Sequence, residues 1–311
     1  MALSEVKLIL LLLLLGGEFC AKAQQDEVSD LETDAESTDS TDVDEQQGTN
    51  HPSDGNRIGR IYNGAPAASA NQLYPALLMV YSSSTVRRLS GFIGGPQQII
   101  TSASALVAVG DITGIDVYVG NTPKINTTLA YGASSFGRLR KFNATTLEYD
   151  VGFVDLTGNL NNDPRRLGVL SLATTEIAVS TTNRTKCVVI GWGQSANGSD
   201  TYILSQADYE LLTDQECTSA FGQSLHPTLL CARSVQGYAC DFDGGAPLVC
   251  NNEVYGILTD QSGCTPSSTA KVQKFANLPV IFSPPATAPT NTTAPAPTPA
   301  APPRKNYISC P

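Results

Sequence analysis

From residue 61 to about residue 282 the chain is built of short apolar-rich runs separated by turn residues. Ala76-Leu-Leu-Met-Val-Tyr81, Gln98-Ile-Ile-Thr101, Ile115-Asp-Val-Tyr-Val119, Gly152-Phe-Val-Asp-Leu156 and Val188-Val-Ile190 are each four to eight residues or shorter and rich in β-branched or aromatic side chains. Glycine and proline punctuate the intervals, and no long stretch repeats with the helical period. Such a pattern predicts an all-β domain, a sandwich or a barrel, and periodicity alone does not choose between them.

The two ends have a different character. Lys7 precedes the apolar run Leu8–Leu15, and Ala21-Lys22-Ala23 follows it, which reads as a secretory signal peptide over residues 1–23. That run is too short to span a bilayer, and no later run approaches the roughly 18 apolar residues a span requires, so a secreted protein without a membrane span is expected. Residues 24–60 are rich in Asp, Glu, Ser, Thr and Gln, with too few large apolar side chains to offset the entropy of ordering them, and read as a disordered leader. Residues 282–311 form a Pro/Thr/Ala tract that reads as an extended, O-glycosylated stalk.

Charge changes the picture only at the leader. The formal charge of −10 hides eleven acidic residues and no lysine or arginine between Asp26 and Asp54, leaving about +1 for the rest of the chain. A nearly neutral body offers no footprint for nucleic acid. Eight cysteines are present; Cys20 falls in the signal peptide, and Cys187, Cys217, Cys231, Cys240, Cys250 and Cys264 cluster in one half of the domain. They lack the paired close spacing of a zinc site, so a disulfide framework is expected, with neither metal nor cofactor. Cys310 is left over, one residue from the end, and would suit a disulfide to another chain. Sequons at Asn126, Asn143, Asn183, Asn197 and Asn291 fit a glycosylated extracellular surface.

Five separated motifs carry a family resemblance. They are Ile61-Tyr-Asn-Gly64, Gln97-Gln-Ile-Ile-Thr-Ser-Ala-Ser-Ala105, Tyr149-Asp-Val-Gly-Phe-Val-Asp-Leu156, Cys187-Val-Val-Ile-Gly-Trp-Gly193 and Cys240-Asp-Phe-Asp-Gly-Gly-Ala-Pro-Leu-Val-Cys250. In this order they resemble the trypsin/chymotrypsin-like serine proteases (peptidase S1), here as an inactive homologue of the kind found in insects. The resemblance implies two six-stranded antiparallel β-barrels over residues 61–281, and disulfides Cys187–Cys250, Cys217–Cys231 and Cys240–Cys264. Leu89 and Ala105 stand where the family has a further disulfide, lost here as a pair.

The same resemblance assigns the site. Gly244 stands in the place of the nucleophilic serine, so no acyl-enzyme can form there. Ser104 stands in the place of the histidine base, and a serine cannot accept a proton near neutral pH. Asp150 is retained in the orienting-carboxylate position. Phe242 replaces the oxyanion-hole glycine, where a side chain obstructs close backbone approach. Tyr238 falls at the floor of the substrate pocket, and Thr259, Asp260 and Gln261 replace the segment that pairs with substrate. Neither histidine rescues the chemistry, since His51 lies in the leader and His226 lies on a face expected to turn away from the site.

Zymogen machinery is the exception. Arg60 occupies the activation-cleavage position, and Asp243 is the carboxylate that would receive the new ammonium of Ile61. The resemblance thus implies a pseudoprotease acting as a cofactor, scaffold or binding protein among extracellular proteins. Reproductive secretion is the leading setting, because the leader has no cysteine from which to build the clip domain of immune-cascade relatives. An immune-cascade cofactor, an inhibitor decoy and, last, a hydrolase with a relocated site are the alternatives.

Overall fold

The computed structural model describes residues 61–67, 73–120, 130–165, 167–193, 204–260 and 271–283. Barrel one is a closed antiparallel cylinder in the order β2-β3-β4-β7-β6-β5, where β2 is Pro75–Ser82, β3 Val86–Gly95, β4 Gln98–Thr101, β5 Ile112–Val119, β6 Tyr131–Arg138 and β7 Gly152–Leu156. Barrel two runs β9-β10-β13-β12-β11-β8 and closes through the pairing of β8 (Lys186–Gly191) with β9 (Ser205–Leu211). Its remaining strands are β10 (Leu229–Gln236), β11 (Pro247–Cys250), β12 (Glu253–Leu258) and β13 (Val272–Asn277). A two-residue strand, β1 (Ala65–Pro66), pairs with β9 outside the ring.

The choice left open between sandwich and barrel is thereby resolved, and the apolar runs read from sequence lie in β2, β4, β5, β7 and β8. Strand β9 shows why the chain closes this way. Ser205, Ala207, Tyr209 and Leu211 are buried while the residues between them are partly or fully exposed, the period of a strand with one face on a core. Strand β12 is buried at five of six positions because both of its faces are covered.

Three apolar clusters account for the architecture. Leu78, Val80, Leu89, Ile99, Val117 and Val154 fill barrel one, and Ile61, Val189, Tyr209, Leu248 and Phe275 fill barrel two. The third cluster joins them, since Leu77, Phe92, Ile100 and Val151 of the first meet Ile190, Trp192, Val254 and Ile257 of the second. Each large side chain buried there is worth about 1.5–3 kcal/mol, so packing across this seam contributes strongly to holding the barrels as one body.

Among the described residues, the cross-links lie in the second half. Cys187–Cys250 joins directly paired residues of β8 and β11, and Cys217–Cys231 pins helix α2 (Asp214–Phe221) to β10. Cys240 is also disulfide-bonded, while Cys264 lies outside the described residues. Leu89 and Ala105, where the resemblance implies a lost disulfide, are both buried in the core of barrel one.

What positions the functional site is the segment 240–246, which crosses from barrel two to barrel one. Ser90 N–H of β3 donates to Gly244 O at 3.0 Å, and Gly245 N–H donates to Leu258 O at 2.8 Å. Gly245 has φ of +93°, and a Cβ there would collide with Ser90 O and Thr101 Oγ1. Only glycine meets both demands. Gly245→Ala is therefore expected to destabilise the fold by about 3 kcal/mol, measured by urea unfolding, a loss typical of forbidden φ combined with a core clash. A loss under about 1 kcal/mol would mean that the crossing tolerates a side chain and is not tightly packed.

Candidate active site

The site forms where four pieces of chain converge between the barrels. Ser102 and Ser104 come from the start of helix α1 (Ala103–Val107), a five-residue helix whose N-cap is Ser102. Its hydroxyl oxygen accepts the Ala105 N–H at 3.1 Å, satisfying one of the helix's free donors. Asp150 enters from the residue pair ahead of β7, Gly244 from the crossing segment, and Thr259-Asp260 from the end of β12.

Asp150 is the electrostatic centre. It is fully buried, and its carboxylate accepts from Ser104 N–H at 2.6 Å, Ser104 Oγ–H at 2.6 Å and Ser102 Oγ–H at 3.0 Å. Burial pushes its pKa up to about 6, a rise that these hydrogen bonds offset only in part. Ser104 is spent in the same network. Its one proton goes to Asp150, and its oxygen accepts the Asp260 N–H at 2.9 Å. Asp260 is fixed in turn by Arg87, whose guanidinium lies 3.4 Å from its carboxylate and also donates to Ala108 O at 3.0 Å. The segment carrying Asp260 is thus strapped across the front of Ser104.

Gly244 sits under this strap. A Cβ built on it would lie 3.1 Å from Ala105 Cβ and 3.3 Å from Asp260 Cα, closer than side chains normally pack. Next to it, Phe242 holds φ of +74°, which costs a residue with a Cβ about 1–2 kcal/mol. Two contacts hold it: Ser90 Oγ–H donates to Phe242 O at 3.3 Å, and the Arg88 guanidinium stands 4.4 Å above the ring.

Asp243 points the other way, into barrel two. It is fully buried and accepts from Gly193 N–H at 2.8 Å and Cys240 N–H at 3.0 Å. A Cβ on Gly193 would overlap this carboxylate, which explains the glycine after Trp192. Ile61 is likewise fully buried in the barrel-two core. Tyr238 is buried too, its ring stacked on Tyr62 at 4.9 Å between centroids and faced by the Lys271 ammonium at 5.7 Å. Thr259 is buried, its N–H and hydroxyl both bonded to Lys274 O at 3.3 Å.

The chain matches the Trypsin family profile over residues 61–278. It belongs to the trypsin family. Trypsin alpha of Drosophila melanogaster is 27% identical over 231 residues, which cover 72% of this chain and 86% of that one. Trypsin of Sus scrofa is 28% identical over 173 residues, covering 52% and 69%, and trypsin of Pleuronectes platessa is 35% identical over 86 residues, covering 26% and 34%.

Within this trypsin-family frame the structure brings Ser104, Asp150, Gly244, Thr259 and Asp260 together and sets Tyr238 and Asp243 behind them in barrel two. Arg60, Gln261, Cys264, Cys310, His51, Asn126, Asn197 and Asn291 lie outside the described residues, whereas Asn143 and Asn183 are exposed. His226 requires a correction. It flanks the loop leading into Asp150 rather than turning away, with its ring 6.1 Å from Tyr149 and Nε2 3.9 Å from Glu148. Its Nδ1 bonds Thr228 Oγ1 at 2.8 Å, so it serves the loop and not the network of Ser104 and Asp150. Three participants escaped the sequence reading: Ser102, Arg87 and Arg88. Ser102 alone had a signal there, as an N-cap residue ahead of a short apolar run. No helix among the described residues is long and apolar enough to cross a membrane.

The raised pKa of Asp150 makes a pH prediction. The folded chain binds this proton more tightly than the unfolded chain, whose aspartate titrates near 4, so the contribution of Asp150 to stability is greatest below about pH 4 and is lost as pH rises through about 6. The difference in unfolding free energy between wild type and Asp150→Asn should fall by on the order of 3 kcal/mol across that window. A difference that stays flat from acid to neutral pH would show that Asp150 carries no such shift.

Proposed function

We propose that this chain is a secreted pseudoprotease, a trypsin-family frame that binds other extracellular proteins and cuts none. One observation carries the reading: the Ser104 hydroxyl is closed between Asp150 and the Asp260 N–H while glycine fills the nucleophile position beneath them. Attack on a carbonyl needs an oxygen nucleophile, a base to take its proton and donors for the oxyanion. Gly244 supplies no oxygen, Ser104 is no base, and Phe242 brings a side chain to the position where backbone must approach substrate closely. Ser104 with Asp150 is not a relocated catalytic pair either, because Ser104 is 8% exposed and both directions of its hydroxyl are occupied.

Tyr238, buried against Tyr62, supports loss of a substrate pocket along with loss of chemistry. That argues against an inhibitor decoy, since inhibitors that bind like substrate need the pocket open. An insect source, and a reproductive or immune fluid as the setting, are the surroundings that the resemblance suggests. Cleavage after Arg60 remains part of the proposal. Ile61 is already buried beside the barrel-two core, so a cut would change the charge at that end more than it would move the side chain.

The test uses the full-length secreted protein. A fluorophosphonate probe is expected to label no serine, and peptide substrates to remain uncut; labelling at Ser104 would overturn the reading. Restoring the nucleophile alone, as Gly244→Ser, should yield no activity and should cost about 1–2 kcal/mol of stability, because Ala105 and the Asp260 backbone must give way. Appearance of peptidase activity in this variant would show that the strap and the base position do not block chemistry. Processing is read separately from the mature N-terminus: Ile61 supports the cut, and a chain beginning at Gln24 opposes it.

A further inference from the structure

Away from the site, β6 runs out into a crowd of cations. Arg138 ends the strand, and Arg140 and Lys141 follow in a turn closed by Phe142 N–H to Leu139 O at 3.0 Å. All three are exposed, and Phe136, two residues before Arg138 on the same strand face, is 44% exposed. Arg138 lies 5.9 Å from the Phe142 ring and Lys141 5.2 Å from the Tyr149 ring. None of the three is ion-paired among the described residues, whereas Arg87, Arg165, Arg184 and Arg233 each face a carboxylate. Glu148, in the loop that follows, is turned to His226 instead. Three like charges within four positions repel one another and raise a local positive potential that an anionic segment would relieve.

The chain carries such a segment. Asp26–Asp54 holds eleven carboxylates with no lysine or arginine and ends seven residues before Ile61. Reach is no obstacle, since the residues from Asp26 to Ile61 extend to about 115 Å. A folded domain of this size has a radius of gyration of only about 17 Å. We propose that the acidic leader docks on the basic strip Arg138–Lys141 of its own chain, with Phe136 as the apolar edge of the contact. Release of the leader by cleavage after Arg60 would then uncover the strip for an acidic protein partner.

Zero-length carbodiimide cross-linking of the full secreted chain, made in a eukaryotic host so that Asn143 carries its sugar, tests this directly. In the monomer, Lys141 should be joined to a carboxylate between Asp26 and Asp54 in preference to the exposed Lys186. That product should fall about five-fold in about 0.5 M salt, where the Debye length shrinks to roughly 4 Å. It should fall comparably in the Arg138→Gln/Arg140→Gln variant, which keeps the lysine as a handle. Three results would each overturn the proposal: leader links spread evenly over the lysines, Lys141 joined only to carboxylates of the barrels, or links found only between two copies in a mixture of isotopically labelled and unlabelled protein. A fourth uses a chain whose leader carboxylates are all replaced by amides. If it is retained on immobilised heparin no longer than the native chain, the leader does not cover the strip; a gain in retention that disappears when Arg138→Gln/Arg140→Gln is added supports the docking, and a gain that persists in that variant overturns it.

Discussion

The structure depends on one crossing. Segment 240–246 leaves barrel two and lays its backbone on β3 of barrel one, with Ser90 bonded to Gly244 and Gly245 wedged against Ser90 and Thr101 where no side chain fits. That contact orients everything around it. It aims Asp243 back into barrel two, where Gly193 and Cys240 serve its carboxylate, and it leaves Gly244 facing the start of helix α1. The apolar seam around Trp192 holds the barrels together, and the crossing determines which atoms meet in the cleft between them.

Ser104, Asp150 and Gly244, at the positions that the resemblance assigns to a triad, make sense as a set. A buried aspartate without a cation is costly, and the serine at 104 answers this by turning both its hydroxyl and its backbone N–H to the carboxylate, with Ser102 adding a second hydroxyl. Because residue 104 is small, the Asp260 backbone closes against it, and residue 244 carries no side chain to prop the gap open. Arg87 then locks the closed arrangement by holding the Asp260 carboxylate. Each of these residues occupies space or satisfies a polar group that the others leave open.

The fold was legible because it is written in short, redundant signals. Runs such as Gln98–Thr101 and Gly152–Leu156 coincide with whole strands, and the cysteines of β8 and β11 fall on paired positions. Strand β3 was harder, since Val86-Arg-Arg-Leu-Ser-Gly mixes charges and glycines with apolar residues, and its strand character comes from pairing with β2 and β4. At the site, the positions of Ser104, Asp150 and Gly244 could be read from motifs, but the strap could not. Arg87 and Asp260 are far apart in sequence, and the seal is made by a backbone N–H that any residue but proline would supply at 260. The place of His226 was missed for a related reason, because its neighbours Tyr149 and Glu148 come from the other barrel.

The placement of the cross-links divides the molecule by redox sensitivity. No cysteine occurs between Asp26 and Lys186, so barrel one owes its integrity to packing and hydrogen bonds alone, whereas barrel two is stapled. Of the two barrels, a thiol reductant can therefore act on one only, and a mechanical load applied across them meets covalent resistance on one side of the seam and none on the other. The closed face built on Ser104 and Asp150 belongs to the unstapled half, while the loop that completes it is anchored through Cys240 in the stapled one. The seam between the barrels is thus also the boundary between the part of this protein that can yield and the part that is held.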